Sequence, residues 1–206
     1  MFRIPKHIGI IPDGNRRWAK EHGFNKEEGY SYGLKPGLQL LHIAQKYGVQ
    51  ELTYYGFTVD NCKRPQKQVM AFSQACVDAV KMVQQENITF RVIGNTQSTC
   101  FPTELRPYTN MELPPSDGKD KNKITVNFLI NYGWEWDMKN NWASRDIPRI
   151  DLVLRWGGMC RLSGFLPIQT VYADFYIIKE LWPDYKDTHF TDALQWYQAQ
   201  DITLGG

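Results

Sequence analysis

The amino-acid sequence predicts an α/β protein, a single domain with a central, mostly parallel six-stranded sheet flanked by helices. Short apolar runs of strand length alternate with longer stretches whose apolar residues recur every three or four positions, the pattern of parallel strands joined by helical crossovers. The 206 residues suffice for one buried α/β core, and no repeat or linker marks a boundary, so residues 1–206 read as one domain.

Residues 7–12 are a short buried strand and residues 15–22 the helix after it. A helix over 34–47 carries Leu34, Leu38, Leu41 and Ala44 on one face and stops at Gly48. Residues 51–57 form the second strand. Pro65 then precedes a helix over 67–86 with Val69, Phe72, Cys76, Val80 and Val83 along one side. The third strand, 89–93, ends in Gly94 and Asn95. Residues 102–123 hold Pro102, Pro107, Pro114 and Pro115 followed by a charged run, and read as a broken helix and a mobile loop. Residues 124–131, 151–156 and 173–178 supply the remaining strands. Residues 191–198 read as a last short helix, capped by Thr188 or Thr191.

Composition excludes several classes. Apolar residues make up 42% and charged residues 22%, as in ordinary globular proteins. A formal net charge of +2 gives no footprint for nucleic acid or an anionic membrane, so any anionic ligand needs a local cluster of positive charge. The longest apolar runs fall well short of the roughly 20 residues of a membrane span, and residues 1–6 lack the apolar core of a leader. Cys62, Cys76, Cys100 and Cys160 are scattered without a CxxC, which fits reduced thiols in a cytoplasmic protein rather than a cysteine metal site. The four histidines show no ligand spacing.

Ligands of parallel sheets sit beyond the carboxyl ends of the strands. Asp13, Gly14, Asn15, Arg16 and Arg17 follow the first strand; Thr58, Asp60, Asn61 and Arg64 follow the second; Asn131 follows the fourth. The fifth ends in Arg155, with Gly157, Gly158, Arg161 and Ser163 after it. Several arginines and amides with few carboxylates suit a strongly anionic, oxygen-rich ligand such as a diphosphate, because guanidinium forks and helix N-termini bind phosphate oxygens. Asp13, beside those arginines, is placed to hold Mg²⁺ bridging diphosphate oxygens. Taken singly, Asp13-Gly14 reads as a turn, Asn15 as a helix cap, and Arg155 or Arg161 as ion-pair partners. Arg106, Arg145 and Arg149 read as surface ion-pair partners, and Trp18, Trp134 and Trp136 as packing residues. The coincidence at successive strand ends favours a site.

These motifs resemble those of the cis-prenyltransferases, the family of undecaprenyl diphosphate synthase. The run from His7 through Asp13-Gly14-Asn15-Arg16-Arg17-Trp18 to Ala19 is similar to the first signature of that family. Phe57 to Pro65, with Asn61 and Arg64, is similar to the second. Asn131-Tyr132-Gly133 with Asp137 resembles the segment after the fourth strand, and Arg155, Gly158, Arg161, Leu162 and Ser163, then Tyr172-Ala173-Asp174 and Leu181-Trp182-Pro183-Asp184, the last signature. The resemblance covers nearly the whole chain in order, and no DDxxD motif is present. It implies the fold, an Mg²⁺ cofactor, prenyl diphosphate substrates and a homodimer formed near the fifth strand and the last helix. By the same resemblance, Asp13 binds the metal with Asp174, which stands where the family has a glutamate. Gly14, Asn15, Arg16, Arg17 and Arg64 cradle an allylic diphosphate, and Asn61 assists proton transfer or orientation. Arg155, Arg161 and Ser163 bind a second diphosphate.

The chain also departs from the pattern. Lys26 and Tyr30 replace an arginine and a histidine, Met159 a glutamate, and Cys62 an aromatic residue. The C-terminal Arg-x-Gly is Thr203-Leu204-Gly205, and the segment between Asp137 and the fifth strand is too short for the family's long helix. A weakened second site argues against processive elongation. Gly29-Tyr30 after the Arg16-Arg17-Trp18 run is similar to the irregular branch, represented by cyclolavandulyl diphosphate synthase. Irregular head-to-middle coupling of dimethylallyl-type units, with possible cyclisation, is therefore the first expectation, and Tyr30 a candidate for cation stabilisation or proton movement. The alternatives are a regular short-chain synthase adding isopentenyl diphosphate, a cyclase-like enzyme releasing diphosphate, and a non-catalytic partner subunit.

Overall fold

A computed structural model of the chain describes residues 3–109 and 123–201. The strands are β1 (His7–Ile11), β2 (Glu51–Tyr55), β3 (Thr89–Ile93), β4 (Thr125–Leu129), β5 (Leu152–Arg155) and β6 (Asp174–Ile177). They lie in one sheet in the order β3-β4-β2-β1-β5-β6, and every pairing is parallel. The sheet is thus wholly rather than mostly parallel. β1 is buried along its whole length because it lies between β2 and β5 under both layers, which explains its unbroken apolar run.

The helices are α1 (Asn15–Glu21), α2 (Gly29–Tyr32), α3 (Leu34–Lys46), α4 (Gln66–Val83), α5 (Trp134–Lys139) and α6 (Asp187–Gln198). On one face of the sheet, α3, α4 and α6 bury Leu40, Leu41, Ala44, Val77, Val80, Phe190 and Leu194 against Ile8, Ile10, Leu52, Val126 and Leu154. The opposite face carries a thinner core of Ile11, Leu129, Ile147, Ile150, Val153, Phe165 and Leu166, supplied largely by irregular segments. Two short helices, α2 and α5, escape the periodicity argument because neither completes two turns.

Local signals explain the remaining differences from the sequence reading. The last helix starts at Asp187, with Lys186 as its first flanking residue, so neither Thr188 nor Thr191 caps it. Tyr185 packs against Trp156 and Trp182, and that anchor sets where the chain turns into α6. Within the proline-rich stretch, Thr103–Tyr108 is a 3-10 turn that buries Leu105. The rest of the expected mobile loop, 110–122, lies outside the described residues, as do Thr203, Leu204 and Gly205.

Chain order sets the site. From β1 the chain builds outward through β2, β3 and β4, then crosses back to place β5 on the other side of β1. The carboxyl ends of β1, β2 and β5 therefore flank the switch point, where crossover connections leave an open crevice.

Candidate active site

A cavity of about 630 Å³ opens at that crevice, lined by residues that follow β1, β2 and β5. Seven basic side chains face it: Arg16, Arg17, Lys20, Lys26, Arg64, Arg155 and Arg161. Among the described residues only two carboxylates, Asp13 and Asp60, do so. A chain with a net charge of +2 thus carries a local excess of positive charge in this concavity, whose walls focus the field on an anion.

Arg155 and Asp13 form an ion pair in the cavity wall. The Arg155 side chain is 4% exposed, and its Nη2 donates to Asp13 Oδ2 at 2.9 Å. Its Nη1 donates to Ser163 Oγ at 3.0 Å and to the Arg161 carbonyl, while Nε is buried without a partner. Arg155 therefore ties the loop after β1 to the 161–163 loop, and its fork is already occupied. Arg161 and Ser163, expected beside it at the second diphosphate, line the same cavity. Arg17 lies 3.7 Å from Asp13 Oδ1 and donates to the Gly157 carbonyl at 3.0 Å. Gly157 has φ 82°, and a Cβ there would come within 2.3 Å of Arg17 Nη2, so this approach needs glycine.

Tyr30 closes the inner end. The residue is 4% exposed, its ring stacks on Phe72 with centroids 4.4 Å apart, and its hydroxyl accepts from Arg64 Nη1 at 2.9 Å. Burial pushes the phenol above its ordinary pKa, opposed by Arg64 and Arg16, so it stays protonated at neutral pH. Behind it lies an apolar pocket of about 90 Å³ among Leu34, Leu38, Tyr54, Cys76, Met82, Val83, Phe128 and Trp182. Both chambers share Pro12, Asn15, Tyr30, Gly56 and Phe72. The Tyr54 hydroxyl donates to the Gly37 carbonyl at 2.9 Å, and its ring stacks on Phe128 at 5.6 Å. A basic chamber opening into a narrow apolar one suits a ligand with an anionic head and a short hydrocarbon tail.

Most residues singled out from the sequence line the cavity: Asp13, Gly14, Asn15, Arg16, Arg17, Tyr30, Asn61, Arg64, Arg155, Arg161 and Ser163. Asp174 does not. The β5–β6 register pairs it with Leu152, which pairs with Ile8, so it lies at the amino end of the sheet. At ~3.3 Å per residue that is roughly 15 Å along the strands from Asp13, and the expected two-carboxylate metal pair does not form within the chain. Asn131, at φ 52°, is fully buried and donates to the Asn95 carbonyl, so it shapes the end of β4 without facing the cavity. Asn61 Oδ1 accepts from the Thr58 backbone N–H at 3.0 Å, which leaves its amide NH₂ for a ligand. Lys20, Tyr55 and Phe72 were not foreseen as lining residues. Lys20 follows Arg16 by one helical turn, a signal that spacing carries. Phe72 reads as ordinary core, and Tyr55 as an ordinary strand residue.

The sequence model described as "Putative undecaprenyl diphosphate synthase" matches residues 11–145 and 138–205. The chain belongs to the cis-prenyltransferase family. Such proteins are transferases of prenyl groups, and this one is an enzyme of that class. The ditrans,polycis-undecaprenyl-diphosphate synthase ((2E,6E)-farnesyl-diphosphate specific) of Pasteurella multocida is 30% identical, covering 98% of this chain and 95% of its own. The enzyme of the same description from Aliivibrio fischeri is 28% identical over 98% and 89%. Among solved structures, lavandulyl diphosphate synthase from Lavandula x intermedia, in complex with dimethylallyl diphosphate, superposes with a TM-score of 0.79, covering 98% of each chain at 22% identity. That likeness speaks for the fold alone.

The pairing with the Pasteurella cis-prenyltransferase runs over 233 positions, more than this chain's 206 residues, so the relative carries residues that this chain lacks. The two model matches overlap at 138–145, from the last turn of α5 onward. There the buried Asp137 carboxylate accepts from the Tyr132 hydroxyl at 2.6 Å, the Ser144 hydroxyl at 2.6 Å and the Ser144 N–H at 2.9 Å. This cluster closes the connection to β5. Among the described residues no group of three or more His, Cys, Asp or Glu forms a metal cage. The Asp13 carboxylate on the rim of the basic cavity does fit Mg²⁺, which takes one or two carboxylates and completes its shell with phosphate oxygens and water.

Proposed function

We propose that this cis-prenyltransferase is an Mg²⁺-dependent enzyme joining short allylic diphosphates, by irregular head-to-middle coupling of dimethylallyl-type units with possible cyclisation. The observation that carries the short substrate is the apolar pocket of about 90 Å³. It is smaller than the roughly 150 Å³ cavity known to hold benzene, so it suits one five-carbon tail rather than a farnesyl chain. The observation that favours irregular coupling is the state of the second anion subsite. Arg155 is committed to Asp13 and the 161–163 loop, and Met159 stands in the cavity wall, leaving Arg161 and the proton of the Ser163 hydroxyl to meet a second diphosphate.

In this reading Arg16, Arg17, Arg64 and the Gly14–Asn15 turn hold the donor diphosphate, with Lys20 and Lys26 beside it. Asp13 holds Mg²⁺, which supplies charge neutralisation of the leaving group. The arginines stabilise the same developing charge as the allylic C–O bond breaks. The stacked Tyr30 and Phe72 rings lie between the head and tail chambers, where their faces stabilise an allylic cation. The protonated Tyr30 hydroxyl donates to the departing diphosphate rather than acting as a base. A homodimer and a cytoplasmic location belong to the same reading. Ile168, Val171 and Tyr172, exposed on the segment before β6, support the dimer.

Purified protein with Mg²⁺ and dimethylallyl diphosphate, with and without isopentenyl diphosphate, tests it by mass spectrometry of the dephosphorylated products. A C10 alcohol from dimethylallyl diphosphate alone is expected. Products formed only with isopentenyl diphosphate would establish regular short-chain synthesis instead.

A further inference from the structure

The geometry points to Tyr55 as a positioning residue that sets the second anion subsite through the backbone of Ser163. Tyr55 is the last residue of β2, and its hydroxyl donates to the Ser163 carbonyl at 2.9 Å. Ser163 sits at φ 53°, a left-handed conformation that side-chain-bearing residues avoid. Something must hold it there. Arg155 Nη1 binds its hydroxyl from one side and Tyr55 binds its carbonyl from the other. Arg155 answers to Asp13 as well, and the Phe165 N–H to Leu162 carbonyl bond at 3.1 Å closes the turn without touching the Ser163 carbonyl, so Tyr55 is the side chain that holds that carbonyl. The Tyr55 ring is itself held by Phe165 at 5.2 Å and Tyr132 at 6.2 Å between centroids, which makes its hydroxyl a rigid post.

The consequence is specific. Loss of the Tyr55 hydroxyl lets Ser163 relax toward negative φ and turns Arg161 and Ser163 away from their shared anion. The ring packing and the subsite at Arg16, Arg17 and Arg64 stay as they are. This inference rests on the reading that the cavity takes two diphosphates.

The test is calorimetric titration of inorganic diphosphate into the full chain with Mg²⁺. Arg64→Ala and Arg161→Ala identify the two binding events. Tyr55→Phe, which keeps the ring and hence the fold, is expected to weaken only the event assigned by Arg161→Ala, by about fivefold, the worth of one ordinary hydrogen bond. In a Ser163→Gly background, where glycine takes the left-handed conformation freely, Tyr55→Phe adds less than about twofold. Equal weakening of both events, weakening of neither, an undiminished effect beside Ser163→Gly, or a single event in the parent protein overturns the proposal. No turnover is read, so the result is independent of which prenyl units are coupled.

Discussion

At the amino end of the sheet, His7 Nε2 lies 2.8 Å from Thr53 Oγ1, and Asn127 Nδ2 donates to Thr53 Oγ1 at 3.0 Å and to Glu51 Oε1 at 2.6 Å. Arg91 Nε donates to Asn127 Oδ1 at 2.8 Å and its Nη2 to the Asp146 carbonyl at 3.0 Å. At the carboxyl end, Arg16, Arg64, Lys20, Lys26 and Arg161 face a cavity with few carboxylates to meet them. Both ends are rich in polar groups, but at the carboxyl end most of the positive charge has no carboxylate to balance it among the described residues. Saturated polar networks rigidify a fold, whereas an excess of one charge in a concavity is costly without a ligand to complete it. Residue type alone therefore does not mark the site; the balance of partners does.

Asp13→Ala should break the carboxyl end most severely. It removes the carboxylate that fits Mg²⁺ and frees Arg155, and turnover should fall about a thousandfold. Circular dichroism should stay unchanged, because Asp13 lies at the cavity rim. Full activity would show that the charge excess serves no ionisation chemistry.

Tyr30→Phe should cost less, about tenfold in turnover, because the ring still stacks on Phe72 while Arg64 loses its acceptor. Product profiles sharpen this. Loss of rate with an unchanged product would assign the hydroxyl to the leaving group, and a changed product would place it in control of the cation. Met82→Ala enlarges the apolar pocket. Turnover with geranyl diphosphate relative to dimethylallyl diphosphate should then rise by about tenfold, the discrimination a hydrophobic wall supplies. An unchanged ratio would mean that the 90 Å³ pocket does not receive the tail.

The same contrast explains what the sequence could convey. Asp13, Arg16, Arg64 and Arg161 were legible because each follows a strand of a sheet whose ligand edge is dictated by topology. The fold was legible for the same reason, since α3 and α4 carry unmistakable helical stripes. The separation of Asp174 from Asp13 within the chain was not legible, because it follows from the β5–β6 register, which the sequence pattern does not encode. Arg155 was legible as a strand-end arginine, but its pairing with Asp13 was not, because a fork pointing at a ligand and one pointing at Asp13 look alike in sequence. Tyr55 and Phe72 were hidden by being hydrophobic residues on buried elements. The short connection after α5 was legible as a missing helix, but the Asp137–Ser144 cluster that closes it depends on a turn no spacing rule encodes.

The smallest effect concerns the amino end, where titration should touch stability and leave catalysis alone. Desolvation raises the Glu51 pKa to about 7, against hydrogen bonding from Asn127 and the charge of Arg91. Desolvation lowers that of His7 to about 4, against its backbone hydrogen bonds and Asp151. A raised carboxyl favours the folded state fully below its unfolded value of 4.5 and loses that advantage as pH rises toward 7. A lowered histidine acts oppositely: the unfolded chain binds its proton more readily, so stability climbs between pH 4 and 6.5. The two slopes overlap and largely cancel, which predicts a flat stability profile across mildly acidic pH. Glu51→Gln keeps an acceptor for Asn127 but removes one slope. Thermal unfolding of that variant should show stability climbing from pH 4 to 6.5 by about 2 kcal/mol, with turnover at pH 8 unchanged. A profile as flat as the parent's would mean that Glu51 does not titrate inside the network. A loss of turnover would mean that the two ends of the sheet are coupled, and that the saturated end helps to hold the open one in shape.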